Sequence, residues 1–304
     1  MIAFLFAGQG SQKVGMGADL AVACDDCRET FEAADRALGY PLSRLMAKGP
    51  EEELRRTAIT QPALLAISVA HARPLQGLGV EPDLLAGHSI GQYAALVVAG
   101  AIEFDDALRL VAARGVMMQK TVPEGEGAMM AIIGQERERV YAACEASRSL
   151  GVVGVALHNA PGQTVISGAV PAVEAAAERC EEEGGVVAPL PVSAPFHCDL
   201  LAPMVPAFAE LVAATPMRRP ALPVLDNVTA TPLADEDSVR QSLVEQITSP
   251  VLFEESLRAM VDSGVARFVQ CGPGKSLLGF VKRVAPQAAT ETFEEAMAAA
   301  TAPD

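Results

Sequence analysis

A serine between two glycines, Ser89 in the stretch "LLAGHSIGQYAAL", is the residue of this sequence best suited to nucleophilic chemistry. Residues 84–86 predict a short buried strand and residues 90–98 a helix rich in small apolar residues, so Ser89 lies at a strand-to-helix corner. In a G-x-S-x-G corner the serine oxygen projects at the helix N-terminus, where backbone N–H groups favour negative charge. Because the chain contains 25 glycines, the motif alone leaves both a nucleophile and an ordinary turn residue open.

A serine hydroxyl becomes a good nucleophile only when a base takes its proton, and the chain has four histidines that could do so. His197 lies in "PVSAPFHCDLL", where prolines exclude regular structure, and a loop histidine beside a cleft is a typical general base. The others are interpreted as structural: His71 lies within a predicted helix, His88 shapes the corner, and His158 ends a predicted strand. From the pattern alone, a structural role for His197 also stays open.

Arg114 is a cation in an apolar environment. It lies at the centre of the apolar face of a predicted helix, residues 105–118, whereas Arg109 falls on the opposite face. A guanidinium on an inward face requires an anionic partner. That partner is either a protein carboxylate or a substrate carboxylate, and arginine suits both because its planar fork binds a carboxylate through two hydrogen bonds.

A glycine-rich loop, "AGQGSQ", follows the first predicted strand, "IAFLF". Its backbone N–H groups around Gln9 could bind an oxyanion, although many glycine-rich turns have this pattern. The loop is not a Walker A motif, because no G-K-[ST] ending follows it, and "CGPGKS" at 271–276 lacks the first glycine at the required distance.

The elements that must position these residues alternate between strands and helices, which is typical of a doubly wound α/β sheet. Residues 125–191 differ, because their order is β-α-β-β-α-β, the signature of a ferredoxin-like module. We therefore predict a large α/β domain of residues 1–124 and 192–304, with a small domain of residues 125–191 inserted into it. Further helices are predicted at 22–38, 62–78, 237–247, 253–263 and 277–284.

Composition excludes several classes of function. The chain of 304 residues is 50% hydrophobic, enough for a sizeable core, and its formal net charge of −15 disfavours extended binding to nucleic acid or anionic membranes. No stretch is long and apolar enough to span a bilayer, and the N-terminus lacks the basic region of a signal peptide. The cysteines, including the lone C-x-x-C of Cys24 and Cys27, are interpreted as reduced and structural rather than metal-binding, in a cytoplasmic protein.

Taken in order, segments along nearly the whole chain resemble those of the malonyl-CoA:acyl carrier protein transacylases and of the related acyltransferases of polyketide synthases. The segments are "FAGQGSQKVGMG", "TQPALLA", "AGHSIGQYAALVVAGAI", "AARGVMMQ", "GAMMAIIG", "NAPGQTVISG", "PVSAPFHCDLL", "EQITSPVLF" and "CGPGKSL". The resemblance implies an α/β-hydrolase-like large domain with a ferredoxin-like insert.

The activity that the resemblance implies is ping-pong transfer of a malonyl group. The group passes from malonyl-CoA, through an acyl-serine, to the phosphopantetheine thiol of an acyl carrier protein, in fatty-acid or polyketide synthesis. No metal or redox cofactor is expected, and the protein is expected to be a monomer.

The resemblance also assigns catalytic roles to particular residues. Ser89 becomes the nucleophile and His197 its base, with His197 oriented by the backbone carbonyl of Gln246. The backbone N–H groups of Gln9 and Ile90 form the oxyanion hole.

Four side chains are implied to bind the substrate. Arg114 would pair with the malonyl carboxylate, and the bulk of Phe196 would crowd a substituent on the malonyl α-carbon. His88 and Asn159 complete the set.

Two positions depart from the family pattern. Gln92 stands where the family usually carries Glu, and His158 stands where it usually carries an aromatic residue. Both positions are expected at the mouth of the cleft, where they would alter the breadth of substrates.

Three other functions stay open: a hydrolase of the same fold that edits stalled acyl carrier proteins, an ordinary serine esterase, and a scaffold without catalysis. The buried cation at Arg114 argues against the first, and the lack of an H-G-G-G-type loop against the second. We expect a carrier protein to dock on Lys275, Lys282 and Arg283, whose spacing places them near one helix face, although a solvated helix surface has the same pattern.

Overall fold

The computed structural model describes residues 1–192 and 194–302. Ser193, Pro303 and Asp304, which the predicted large domain includes, lie outside the described residues. The strands are β1 (Ile2–Phe6), β2 (Leu84–Gly87), β3 (Gly127–Ile133), β4 (Val153–Ala160), β5 (Gln163–Ala169), β6 (Val186–Pro189), β7 (Val224–Leu225), β8 (Val251–Leu252), β9 (Arg267–Cys271) and β10 (Ala289–Thr292).

Helices connect these strands and cover the sheets. The α-helices are α1 (Ala18–Ala23), α2 (Asp25–Leu38), α3 (Leu42–Lys48), α4 (Glu51–Arg55), α5 (Thr57–Gly77), α6 (Gly91–Val98), α7 (Phe104–Thr121), α8 (Arg137–Ser147), α9 (Val170–Glu182), α10 (Val205–Ala214), α11 (Glu236–Glu245), α12 (Phe253–Asp262), α13 (Ser276–Val284) and α14 (Phe293–Thr301). Short 3₁₀ helices span Arg148–Leu150 and Asp199–Met204. No described helix combines the length and the apolar character needed to cross a membrane.

The first sheet is parallel throughout, in the order β10-β9-β1-β2-β7. Its central strand β1 is apolar along its whole length, and the side chains of residues 3–6 are fully buried, as expected for a parallel strand covered on both faces. Helix α5 is buried along most of its length, which places the main core around it and the sheet.

The second sheet has the order β6-β3-β5-β4-β8. Strands β3 to β6 pair antiparallel and follow the predicted β-α-β-β-α-β order, with α8 and α9 enclosing a separate hydrophobic cluster against them. The fifth strand, β8, pairs parallel to β4 and comes from a later part of the chain. The protein therefore has a mixed α/β fold with two sheets.

Local sequence predicted most of these elements but misplaced some of their ends. The helix predicted from residue 22 is interrupted at Cys24, whose backbone is extended (φ −137°, ψ 117°) and whose sulfur accepts a hydrogen bond from the N–H of Cys27 at 3.4 Å. Cys24 thus caps α2 instead of continuing α1. The helix predicted from residue 62 begins at residue 57, so Pro62 lies inside α5 and not at its start.

Candidate active site

Three loops meet at one edge of the parallel sheet. Gln9 follows β1, Ser89 follows β2, and Asn227 follows β7. Because β1, β2 and β7 are parallel neighbours, their carboxyl ends lie together, which is where ligands bind in open α/β sheets.

The corner at Ser89 is as tight as the sequence predicts. Ser89 holds a φ of 54°, in the left-handed region that few residues other than glycine adopt. A Cβ at Gly87 would lie 1.9 Å from the carbonyl carbon of Gly91, and one at Gly91 would lie 2.1 Å from the oxygen of Phe6. The two glycines are therefore required for space, since α6 begins directly against β1 and β2.

His197 lies beside this serine. Ser89 Oγ is 2.7 Å from His197 Nε2, and His197 Nδ1 is 2.8 Å from the backbone oxygen of Gln246. A carbonyl only accepts hydrogen bonds, so Nδ1 carries the proton and Nε2 offers its lone pair to the serine hydroxyl. Gln246 caps the C-terminus of α11, where a helix leaves carbonyl groups without partners, and this frees the oxygen for His197.

The surroundings of His197 keep it neutral. Its side chain is only 3% exposed, and burial lowers the pKa of His197 to about 3, with the positive charge of Arg114 as the second cause. The hydrogen bond to the Gln246 carbonyl acts in the opposite direction. At neutral pH the imidazole is therefore able to accept the serine proton.

The two predicted oxyanion donors, Gln9 and Ile90, belong to the loops that surround Ser89. Gln9 lines the same cavity as Ser89, and Ile90 is the N-cap of α6. Among the residues that the structure describes, neither the N–H of Gln9 nor that of Ile90 donates to another protein group. The Gln9 side chain is held aside by a hydrogen bond to Thr57 Oγ1 at 3.2 Å.

Arg114 is almost fully buried, at 1% exposure, as its place on α7 predicts. One guanidinium nitrogen donates to Gln246 Oε1 at 2.9 Å, and the group lies 5.5 Å from the centre of the Tyr93 ring. Its Nε has no hydrogen-bond partner, and no carboxylate among the described residues pairs with it. Burial lowers the pKa of Arg114, so the isolated charge is costly and an anion would stabilise it. Of the two partners that the sequence leaves open, a protein carboxylate is not provided by any residue within 1–192 and 194–302.

The cavity at Ser89 is small, about 50 Å³. Phe196 and His88 contribute to its wall, while Asn159 is reached through His88, whose Nε2 is 2.8 Å from Asn159 Oδ1. Both sheets and the segment after β6 line the cavity, through Gln9, His88, Ser89, Met129, Leu157, Leu190, Val192, Phe196 and His197.

The two departures from the family pattern do not lie where we expected them. Gln92 is fully buried and bonded to Asn227 and Ser242, so its placement at the cleft mouth is wrong. The side chain of Gln92 lies on the buried face of helix α6, next to the Asn227 backbone. His158 is also buried, between Tyr141 and Glu255, and is not among the residues that line the cavity.

Sequence reasoning missed one residue of this site, Asn227. Its side chain bonds to the backbone on both sides of His88, accepting from the N–H of Ser89 at 2.8 Å and donating to the oxygen of Gly87 at 2.7 Å. The available signal was a buried-strand pattern, "LPVL", followed directly by the polar pair Asp226 and Asn227 in a chain with parallel-sheet rhythm.

The chain matches the family model described as "Acyl transferase domain" over residues 3–302. It is 45% identical to the malonyl CoA-acyl carrier protein transacylase of Escherichia coli (strain K12) over 302 residues, which cover 99% of this chain and 98% of that protein.

Solved structures agree with this similarity. The malonyl CoA-acyl carrier protein transacylase of Coxiella burnetii superimposes with a TM-score of 0.95 at 40% identity, covering 98% of this chain and 96% of that one. A malonyl-transacylase solved in complex with a type II polyketide synthase acyl carrier protein superimposes with a TM-score of 0.92 at 42% identity, covering 96% and 94% of the two chains.

Proposed function

Because this chain belongs to the acyl transferase domain family, we propose that it transfers a malonyl group from malonyl-CoA to the phosphopantetheine thiol of an acyl carrier protein, in fatty-acid or polyketide synthesis. One observation carries the choice of acyl group. Buried Arg114, which pairs with no carboxylate in the described part of the chain, contacts the side chain of Gln246, and the backbone oxygen of the same residue orients His197 toward Ser89. The guanidinium is therefore close enough to hold the carboxylate of an acyl group that reacts at Ser89.

The first half-reaction acylates Ser89. His197 Nε2 takes the hydroxyl proton while the serine oxygen attacks the thioester carbon of malonyl-CoA. The N–H groups of Gln9 and Ile90 stabilise the oxyanion of the tetrahedral intermediate, and the helix N-terminus at α6 adds to that stabilisation. When the carbon–sulfur bond breaks, His197 returns its proton to the leaving CoA thiolate.

The second half-reaction repeats these steps with another thiol. His197 takes the proton of the phosphopantetheine thiol, whose sulfur attacks the acyl carbon of the acyl-serine. When the bond between that carbon and the Ser89 oxygen breaks, His197 returns the proton to the Ser89 oxygen. Neither step requires a metal or redox cofactor, since proton transfer and hydrogen bonding account for every bond that forms or breaks. The small, largely apolar cavity disfavours water as the competing nucleophile.

We extend the proposal to the finer architecture and the setting of the enzyme. Residues 1–124 and 192–304 form an α/β-hydrolase-like large domain, and residues 125–191 form a ferredoxin-like insert. All six cysteines are free, which fits the reducing cytoplasm, and the side chains proposed for catalysis come from one chain, which fits a monomer.

Incubation with malonyl-CoA followed by intact mass measurement tests this proposal. The expected result is one added malonyl group, located on the peptide that contains Ser89, and its loss to a phosphopantetheinylated carrier protein. An ordinary esterase or an editing hydrolase would instead release free malonate or an uncharged acid into solution. No covalent adduct at all would support a scaffold.

The pH dependence of Ser89 reactivity should reveal the environment of His197. Because the pKa of His197 is lowered to about 3, we expect labelling of Ser89 by a neutral fluorophosphonate to stay constant from pH 8 down to values below the ordinary histidine pKa of 6.5. An Arg114→Ala change removes a positive charge that disfavours the imidazolium ion. The pKa of His197 should then rise, and labelling should begin to fall at a higher pH.

Arg109→Ala is the matched control for this measurement, because Arg109 lies on the exposed face of the same helix. It should leave the pH profile of the wild type unchanged. Identical acid limbs in the wild type and in Arg114→Ala would show that the Arg114 charge does not act on the base.

A basic surface on α13 is our candidate for carrier-protein docking. Lys275 and Arg283 are exposed, whereas the Lys282 ammonium donates to the backbone oxygen of Ala288, in the segment after the helix, at 2.6 Å. We therefore expect Lys275→Glu/Arg283→Glu to raise the KM for an acidic carrier protein by about tenfold at low salt without changing acylation by malonyl-CoA.

High salt should reduce this difference, because it screens exposed charges. Arg179→Glu, a single charge reversal on the exposed face of α9, is a control for half of this charge change at another site. If the double variant and the control give the same KM at low salt, the carrier protein docks elsewhere.

A further inference from the structure

The corner that carries Ser89 is held by a side chain from a different strand. Asn227 follows β7 and is fully buried, and its amide lies alongside the backbone of residues 87–89. Its Oδ1 accepts from the N–H of Ser89, and its Nδ2 donates to the oxygen of Gly87. These two hydrogen bonds hold the backbone before and after His88, and so they hold Ser89 in its left-handed conformation.

A carboxamide meets both demands at every pH. The N–H of Ser89 can only donate and the oxygen of Gly87 can only accept, so the side chain must offer an acceptor and a donor in one plane. Aspartate has the same shape, but when ionised it has no donor for the Gly87 oxygen. Alanine offers neither group.

Gln246 fixes which way the Asn227 amide faces. The Nε2 of Gln246 donates to Asn227 Oδ1 at 3.1 Å and lies 3.2 Å from the backbone oxygen of Ser89. Because Asn227 Oδ1 receives donors from both Ser89 and Gln246, the opposite orientation of the amide would place two N–H groups against each other. The same Gln246 side chain accepts from Arg114, so one amide contacts both the corner and the cation.

Gln92 anchors the backbone of Asn227. Its Oε1 accepts from the N–H of Asn227 at 2.9 Å, and its Nε2 donates to Ser242 Oγ at 2.6 Å. The Ser242 hydroxyl donates in turn to Asp226, so its oxygen must accept from position 92. An ionised glutamate could not donate there, which gives a local reason for glutamine at this position.

We propose that Asn227 is a positioning residue for the nucleophile, whose side-chain amide holds the Ser89 corner in its reactive conformation and connects it through Gln246 to Arg114. This inference rests on the proposed function, because it assigns Asn227 a part in the acylation of Ser89. The Ser89 Oγ would otherwise move away from His197 Nε2, from which it is separated by 2.7 Å.

Asn227→Asp tests the donor to Gly87. At pH 8 the ionised carboxylate would repel the Gly87 oxygen, and a displacement of Ser89 by about 1 Å would lower the kcat for acylation by about 100-fold. The KM for malonyl-CoA should change less than twofold, since Asn227 does not line the cavity. Rapid-quench measurement of malonyl-enzyme formation gives both quantities, normalised to the folded fraction from circular dichroism.

Lower pH should rescue this variant. A protonated aspartate can donate its O–H to Gly87 and accept from Ser89, as the amide does. The ratio of the Asn227→Asp rate to the wild-type rate should therefore rise as pH falls. Taking the ratio removes pH effects from neighbouring groups such as His197, Arg114 and Asp226, because both proteins contain them. Asn227→Ala has no group to protonate, so its ratio to the wild type should stay low and constant.

Gln135→Glu is the matched control, because Gln135 is a buried amide that donates to a backbone oxygen, that of Cys180, outside the site. It should acylate as fast as the wild type. Wild-type rates in Asn227→Asp, or an Asn227→Ala ratio that recovers at low pH in the same way, would overturn the inference.

A serine-reactive fluorophosphonate separates this inference from the proposed function. Labelling of Ser89 reports the corner and His197 without any malonyl group or carrier protein. If the wild type is labelled but takes no malonyl group, the proposed function fails. Asn227 then keeps its positioning role if Asn227→Asp is labelled slowly with the same rescue at low pH, and loses it if labelling is as fast as in the wild type.

Discussion

A Ser89→Ala variant is expected to accumulate no malonyl-enzyme with malonyl-CoA, however long the incubation. The hydroxyl that would form the ester is absent, and the neighbouring His197 is buried and turned toward position 89 by the carbonyl of Gln246. Transfer to a carrier protein should fall to the rate of the uncatalysed reaction between malonyl-CoA and the phosphopantetheine thiol, because both half-reactions pass through the acyl-serine. Intact mass and peptide mapping check the first expectation, and a carrier-protein assay checks the second.

His197→Ala should lower the acylation rate on the order of 10⁴-fold or more while leaving Ser89 in place, because the hydroxyl then loses its proton to water alone. The Ser89→Ala/His197→Ala variant should be no slower than Ser89→Ala alone, since the nucleophile and its base act as one unit.

Ser147→Ala is a suitable control for this series. Ser147 is buried and its hydroxyl donates to the backbone oxygen of Ala143 within α8, away from the site, so acylation should be unchanged. Covalent malonyl recovered on a Ser89→Ala protein, at any peptide, would sink the assignment of the nucleophile.

The part of the site that local sequence predicts is the Ser89 corner. Two glycines around a serine, between a buried strand and a helix of small residues, leave room for little other than a tight turn, and the structure has that turn. The pairing of Ser89 with His197 could not be derived from spacing, because 108 residues separate them and only the folding of the sheets brings them together. The resemblance supplied that pairing, and the structure contains the contact.

Backbone groups and buried amides were harder to predict. The oxygen of Gln246 carries no side-chain signature, since any residue at the end of α11 would present a carbonyl. Asn227 and Gln92 act through directional hydrogen bonds whose partners lie more than 100 residues away, at Ser89 and Asn227 respectively. A pattern of apolar and polar positions contains no information about such partners, so Gln92 was placed at the cleft mouth although helix α6 turns it inward.

The buried position of Arg114 could be predicted from the sequence, whereas its partner could not. The helical period placed it correctly on the buried face of α7 and left two partners open, a protein carboxylate and a substrate carboxylate. Which of them applies depends on what the rest of the chain brings to that position. The described residues bring an amide, from Gln246, and an aromatic ring, from Tyr93, so the charge is oriented but not neutralised.

Replacement of Arg114 by alanine is therefore expected to change the choice of acyl group. A malonyl carboxylate would form two charge-assisted hydrogen bonds with the guanidinium, and the unpartnered Nε is one of the donors available for them. Losing one partner of such a buried pair costs roughly 2–5 kcal/mol, which lowers kcat/KM for malonyl-CoA by about 30-fold to several thousand-fold. Acetyl-CoA has no carboxylate to lose, so its kcat/KM should stay the same or rise.

The ratio of the two kcat/KM values, malonyl-CoA to acetyl-CoA, is the decisive measurement, because a general loss of folding lowers both values and leaves the ratio unchanged. Arg114→Lys should recover only part of the ratio, since an ammonium group keeps the charge but lacks the planar fork. Arg109→Ala, the same change on the exposed face of α7, should leave the ratio as in the wild type. If Arg114→Ala also leaves it unchanged, the guanidinium serves only to hold Gln246 in place, and selectivity for malonyl must come from another part of the cavity.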